Sequence, residues 1–223
     1  MSSYLPPDSR AAAFQRVDAR TLDALRAVRS LAPTASDVLE EMGWRLAVPA
    51  AHLPLRTGRP PIVGHALTVR YLPERTTAGH PERPHAPSHL AGSGLFDLAS
   101  PGDVVVIDAQ GSGECSVLGG IAARAAQAAG VAGCIIDGAI RDIDEVAETG
   151  LAVWSAAVTP RSGRHYLEVV GINGPIVCGG VQVLPGDLVL ADQSGICFVP
   201  NGSLDEACAR IIRAAAAERN AGR

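Results

Sequence analysis

The spacing of apolar residues changes period several times along this chain, and each change marks an element. "TLDALRAVRSL" (21–31) and "TASDVLEEMGWRLA" (34–47) place theirs at helical spacing; Thr34 or Ser36 is the expected N-cap of the second helix and Gly43 its end. "GHALTVRYL" (64–72) alternates as a strand does. From residue 101 the apolar runs become continuous. "PGDVVVID" (101–108) predicts a turn and a buried strand, "AQGSGECSVLGG" (109–120) a glycine-rich loop, and "IAARAAQAAG" (121–130) a helix ending at Gly130. "VAGCIID" (131–137) is a second buried strand. After the loop "GAI", "RDIDEVAETG" (141–150) reads as a short helix and "LAVWSAAVTP" (151–160) as a third strand. This β-loop-α-β-α-β order predicts an α/β fold with a largely parallel central βαβ core. "GPIVCGGVQVLPGDLVLADQSGICFVP" (174–200) adds several strands with tight turns, and "SLDEACARIIRAAAAER" (203–219) a closing amphipathic helix.

The predicted organisation is an N-terminal extension and helix over 1–30, its first half-dozen residues mobile, followed by a single domain over 31–223. "PGDVVVID" at 101 and "PGDLVLAD" at 185 echo each other, but one match of this length does not make a duplicated domain. Residues 73–94, "PERTTAGHPERPHAPSHLAGSG", are rich in Pro, Gly and His and predict a long loop of the kind that is functional or disordered.

Composition narrows the function classes. With 47% apolar residues the chain can bury a substantial core. A formal charge of −4 and a pI near 5.8 leave no basic footprint for nucleic acid. The sequence lacks the apolar run of a membrane helix and the signature of a signal peptide, so a soluble cytoplasmic protein is expected, with neither nucleic acid nor membrane as partner. Five cysteines (115, 134, 178, 197, 208) are odd in number and form no CxxC pair, which argues against a disulfide framework and a structural zinc site; Cys134 reads as a small core residue. All 19 basic residues are arginine. A Schiff-base aldolase, a pyridoxal enzyme and a P-loop hydrolase each need a lysine amine, so those classes are excluded for this chain.

The densest candidate chemistry lies in "DGAIRDIDE" (137–145), where Asp137, Asp142, Asp144 and Glu145 surround Arg141 at the end of a buried strand. Asp142 and Glu145 have the spacing of a capping box, a purely structural use. Topology offers a functional one. In open α/β sheets ligands sit beyond the carboxyl ends of the strands, and both "GSGECSVLGG" and "DGAIRD" lie there. The N–H groups around Gly120, Ile121 and Ala122 open a helix and suit an anion. Arg141 offers a planar fork for a carboxylate, and Asp142 a hard oxygen for Mg²⁺ or Mn²⁺. Together they suit a small oxo-acid. A dinucleotide site is disfavoured, since "GSGECSVLGG" is not G-x-G-x-x-G. His80, His85 and His89 have loose metal-like spacing but read as solvated loop residues; His65 and His165 carry no motif.

Gly120, twenty residues, then Arg141-Asp142-x-x-Glu145 resembles the G/D-X20-R-D-X2-E/D signature of the RraA-like family, which includes class II 4-hydroxy-4-methyl-2-oxoglutarate/4-carboxy-4-hydroxy-2-oxoadipate aldolases and RNase E regulator proteins. The resemblance runs from about Thr34 to Glu206, through "TASDVLEEMG", "GHALTV", "AGVAGCIIDGAIRD" and "GVQVLPGDLVLADQSGICFVP". It implies a swivelling-type α/β sandwich, assembled as a homotrimer or a hexamer of two trimers, with sites at subunit interfaces. It further implies that Asp142 ligates Mg²⁺ or Mn²⁺ directly and that Glu145 supports the metal's waters. By the same resemblance Arg141 binds the keto acid and stabilises developing charge, and Gly119, Gly120 and the amides of Ile121 and Ala122 form the substrate cradle. The implied activity is metal-dependent C–C lyase chemistry on a small 2-oxo acid, by retro-aldol cleavage of a 4-hydroxy-2-oxo diacid, oxaloacetate decarboxylation, or both. The alternative is a non-catalytic trimeric regulator. The chain departs from the aldolases at Gly120, where they commonly carry Asp or Glu; Glu114, Asp108 or a neighbouring subunit would have to supply that carboxylate.

Overall fold

A computed structural model describes residues 5–6, 13–75 and 88–221. The first four residues, expected to be mobile, and the middle of the Pro/His-rich stretch, with His80 and His85, lie outside these.

The framework is a mixed nine-stranded sheet. Its centre is formed by β3 (Ile62–Pro73), β4 (Val104–Leu118), β5 (Gly133–Ile140) and β6 (Ala152–Val158), all mutually parallel. Beyond β3 lie β10 (Leu188–Ala191), β11 (Gly195–Val199) and β1 (Ala47–Pro49), and beyond β6 lies β2 (Leu55–Thr57), each pairing antiparallel. The far end of β3 also pairs with β7 (Leu167–Ile172), while β8 (Ile176–Cys178) and β9 (Val181–Val183) form a separate hairpin.

The continuous apolar runs have a simple cause: both faces of the central strands are covered. In β4, Val105 and Ile107 pack toward α3 (Gly120–Ala128) and α4 (Ile143–Glu148), among Ala123, Ile136 and Val146. Val104 and Val106 face the opposite layer, with Trp154, Phe198 and the β8–β9 hairpin. A third cluster seats α1 (Ala19–Arg26), α2 (Leu31–Glu41) and α5 (Leu204–Ala221) on β10 and β11. All five cysteines are buried free thiols; Cys134 is a small core residue, and burial pushes its pKa up to about 12. None of the described helices is long and apolar enough to cross a membrane.

Several local expectations are corrected. The helix expected to start near Thr34 begins at Leu31 behind Ser30, and Thr34 bonds back to the Ser30 carbonyl (2.8 Å) from within the first turn. The predicted glycine-rich loop is mostly strand: β4 continues to Leu118, pairing with β5 through irregular registers after Asp108. Likewise "GAI" is the end of β5 and not a loop. In each case tertiary pairing overrides the low strand propensity of Gly and Ser.

The two Pro-Gly-Asp stretches fold alike. Gly102 and Gly186 have φ of +87° and +84°, which only glycine adopts readily. The buried Asp103 and Asp187 each accept the amide three residues earlier, Ser100 N and Leu184 N, both at 2.8 Å. The resulting strands, β4 and β10, flank β3 on either side.

The segment before α1 is tied to both turns. Arg16 forks onto Asp103 (2.7 and 3.1 Å), and the Phe14 ring lies 5.3 Å from that of His65 and against Gly186. His65 Nε2 accepts from Val17 N (3.0 Å), so Nδ1 must carry the proton it donates to the Gly186 carbonyl (2.9 Å). This arrangement requires a neutral imidazole. Burial, with a smaller contribution from Arg16, holds the His65 pKa below its ordinary value. The unfolded chain therefore takes up this proton first, near pH ~6.5. The stability contributed is complete above that pH and is lost as pH falls through ~6.5 toward the folded-state pKa. Thermal unfolding followed at about pH 7.5 and 5.5 is expected to show a midpoint that falls with acid, and His65→Gln a smaller fall; equal slopes would show that the imidazole is not titrating.

Candidate active site

The parallel pairing of β4 with β5 builds the site. Leu118 and Ile140 are register partners at the carboxyl ends of these strands, and Arg141 N donates to the Leu118 carbonyl (3.0 Å). The next residues of each strand, Gly119-Gly120 and Arg141-Asp142, therefore emerge side by side. Residues more than twenty apart in sequence thus become neighbours across one strand spacing.

Asp142 stands at the N-cap of α4 in the left-handed region (φ 54°, ψ 45°), which Asp tolerates better than most residues. Its side chain does not cap that helix, and the expected capping box does not form. Oδ2 instead reaches across to α3, accepting from Gly120 N (3.2 Å) and lying 3.3 Å from Arg141 Nε. Oδ1 accepts no hydrogen bond among the described residues. Glu145, the other half of the expected box, pairs with Arg124 of α3 (2.9 Å).

The two glycines leave their space to neighbouring acids. A Cβ on residue 119 would fall 2.6 Å from Asp142 Oδ2 and 3.1 Å from Arg141 Cγ, and one on residue 120 would overlap the Glu145 carboxylate. The space that a side chain at 120 would fill is thus taken by an acid from α4. Neither alternative carboxylate named by the sequence reaches the site. Glu114 is exposed and paired with Arg161 (3.3 Å), and Asp108 is buried, holding Gln110 N (3.0 Å) and Val177 N (3.3 Å).

Beside this junction lies a cavity of about 290 Å³. Gly119, Ile121, Ala122, Arg141 and Asp142 line it; Gly120 and Glu145 do not. In the first turn of α3, Gly120 N is spent on Asp142, whereas the amides of Ile121 and Ala122 have no acceptor among the described residues. These two donors, the positive end of the α3 dipole and the Arg141 fork converge on one space, an arrangement suited to a carboxylate.

The Pro/His-rich stretch, singled out from sequence as a functional or disordered loop, supplies Ser88, Leu90, Gly92 and Ser93 to the wall; Ser116 from β4, and Ser162 and Arg164 from the segment after β6, were not singled out. Isolated serines and a lone arginine carry no motif, so only their assembly reveals them. His89 is tied to its own surroundings, 3.4 Å from Glu74.

A divalent ion fits the donor set in one specific way. Among the described residues no three His, Cys, Asp or Glu side chains gather for a metal. Asp142, the acid among the described lining residues, would therefore be the single direct protein ligand, while Glu145 lies outside that lining and is paired with Arg124. Mg²⁺, which keeps most of its hydration, accepts such sites.

Residues 32–198 match the RraA-like (Aldolase/RraA) family model. The chain is similar to the 4-hydroxy-4-methyl-2-oxoglutarate aldolase of Thermus thermophilus, at 36% identity over 110 residues, 48% of this chain and 64% of that protein. It is similar also to a Halalkalibacterium halodurans protein provisionally given the same name, at 38% identity over 104 residues, 47% of this chain and 49% of that protein. These matches span between about half and just under two thirds of the relatives' lengths. In structure the chain resembles Streptomyces coelicolor RraAS2, described as an unusual member of the RNase ES inhibitor RraA protein family, with a TM-score of 0.78 and 28% identity over 94% of this chain and 98% of that one.

Proposed function

Because the chain belongs to the RraA-like family, we propose that its cavity is the active site of a Mg²⁺- or Mn²⁺-dependent lyase that cleaves a carbon–carbon bond in a small 2-oxo acid. The observation that carries this reading is that Ile121 and Ala122, with their amides unspent, line one cavity together with Arg141 and Asp142. The substrate's 1-carboxylate docks on the two amides, and its 2-oxo oxygen turns toward Arg141 and Asp142. The C3–C4 bond then breaks. Its electron pair passes to the 2-oxo oxygen, and C4 becomes a carbonyl as its hydroxyl proton departs. C3 takes up a proton to leave pyruvate. Decarboxylation of oxaloacetate breaks the equivalent bond with CO₂ as the second product. An ion held by Asp142, with Glu145 supporting its waters, would supply Lewis-acid stabilisation of the charge developing on that oxygen, worth several kcal/mol. Arg141, whose backbone is bonded to Leu118 and whose Nε lies beside Asp142, contributes positive charge there. The chain would assemble as a homotrimer or pair of trimers, as its family resemblance implies.

The test is deuterium exchange into the methyl group of pyruvate, followed by NMR with Mg²⁺ or Mn²⁺ and again with EDTA. Metal-dependent exchange is expected, since every substrate of this class passes through the same proton transfer at C3. Absence of exchange with either ion would discard the lyase. The similarity to an RNase ES inhibitor family member would then favour the second reading, a protein-binding regulator.

A further inference from the structure

The cavity has a second cation that the chemistry above does not use. Arg164 lines it from the segment between β6 and β7, an element separate from the one carrying Arg141. That segment is laid along β4 by backbone bonds: Ser116 N donates to the Arg161 carbonyl (3.0 Å), Gly163 N to the Ser116 carbonyl (2.9 Å), and Ser116 and Ser162 form an isolated parallel bridge. The approach is close enough that a Cβ on residue 163 would fall 2.5 Å from the Ser116 oxygen. Arg164 N then donates to Ser162 Oγ (3.2 Å), fixing the backbone that projects this side chain.

The two arginines of "TPRSGR" differ in what they touch. Arg161 pairs with Glu114 (3.3 Å) and lies 5.7 Å from the centroid of the Tyr166 ring. The Arg164 guanidinium has no ion pair or hydrogen bond among the described residues, although its backbone is anchored. An unpaired guanidinium on a preformed cavity wall is an anion receptor awaiting its anion.

Charge balance points the same way. Of the charged lining residues, Asp142 offsets Arg141, so Arg164 leaves an excess of one positive charge. A bound divalent ion raises that excess further, beyond what a single carboxylate neutralises. At about 290 Å³, near the small end of ligand cavities, there is also room for an acid longer than pyruvate.

We propose that Arg164 selects dicarboxylic substrates by binding the carboxylate distal to the reacting 2-oxo group. This rests on the lyase reading of the same site. Two uncleaved probes of equal chain length isolate the distal charge: 2-oxoglutarate, which carries it, and 2-oxopentanoate, which does not. Their dissociation constants are measured by calorimetry, with Mg²⁺ present, on the wild type, Arg164→Gln and Arg164→Lys. The wild type is expected to prefer 2-oxoglutarate by at least ~10-fold, Arg164→Gln to erase most of that preference, and Arg164→Lys to keep part of it. A wild type without preference, a preference unchanged in Arg164→Gln, or an equal weakening of both probes would each overturn the assignment; the last would mark Arg164 as merely structural. Failure of the wild type to exchange the pyruvate methyl protons removes the parent reading. Exchange accompanied by an unaltered probe ratio removes only Arg164.

Discussion

Asp142→Asn is expected to lower metal-dependent exchange of the pyruvate methyl protons by on the order of 10²–10³, the loss typical of removing one charge-stabilising group from an active site. Asparagine suits this test because it tolerates the left-handed backbone found at φ 54° and its carbonyl oxygen can still accept from Gly120 N. What it removes is the negative charge of a side chain that lines the cavity. Asp142→Ala should lose as much activity, with an added backbone cost of about 1–2 kcal/mol for placing alanine in that region. Unfolding midpoints separate the two effects. A catalytic role predicts that the asparagine protein unfolds near the wild-type temperature while inactive. An asparagine variant that keeps more than about a third of the exchange rate, against the expected 10²–10³ loss, would remove Asp142 from the chemistry.

The largest expected loss of stability comes from Trp154→Ala. Trp154 sits in β6 between Ile135 of β5 and Leu55 of β2, is fully buried, and donates its indole N–H to the Asp192 carbonyl (3.3 Å). It fills the layer shared with Val106, Val189 and Phe198, where strands on both sides of β3 meet. Truncation removes that packing and leaves a carbonyl without its donor, at a cost of about 3–5 kcal/mol. For a chain of 223 residues this lowers the unfolding midpoint by roughly 6–20 °C, measured at fixed protein concentration because an oligomer's midpoint depends on it. Trp154→Phe keeps most of the volume and should recover more than half of the loss. A cost under about 1 kcal/mol for alanine would mean that the layer closes over the void instead of preserving it.

The capping motif shows where local sequence stops being informative. Asp142 and Glu145 have capping-box spacing, yet Asp142 turns to the neighbouring helix and Glu145 to Arg124. A carboxylate one residue from Arg141, beside the open end of α3, gains more from that fixed positive charge than from its own short helix. Spacing within four residues cannot encode this competition, because the winning partners arrive from a different strand. The glycine-rich stretch after Asp108 teaches the same lesson: its propensity favours a loop, but parallel pairing with β5 holds it as strand.

By itself the sequence determined the α/β class and the parallel core, because continuous apolar runs divided by helices permit few other arrangements. It also excluded lysine chemistry and singled out Arg141 and Asp142, since residue type and order are one-dimensional properties. Only the tertiary structure decided that Asp142 Oδ2 turns to Gly120 N, that Glu145 fills the space beside Gly120, and that Arg164 joins Arg141 in lining one cavity. Those facts depend on distances between separate elements, set by strand register and packing, and the order of residues along the chain does not specify them.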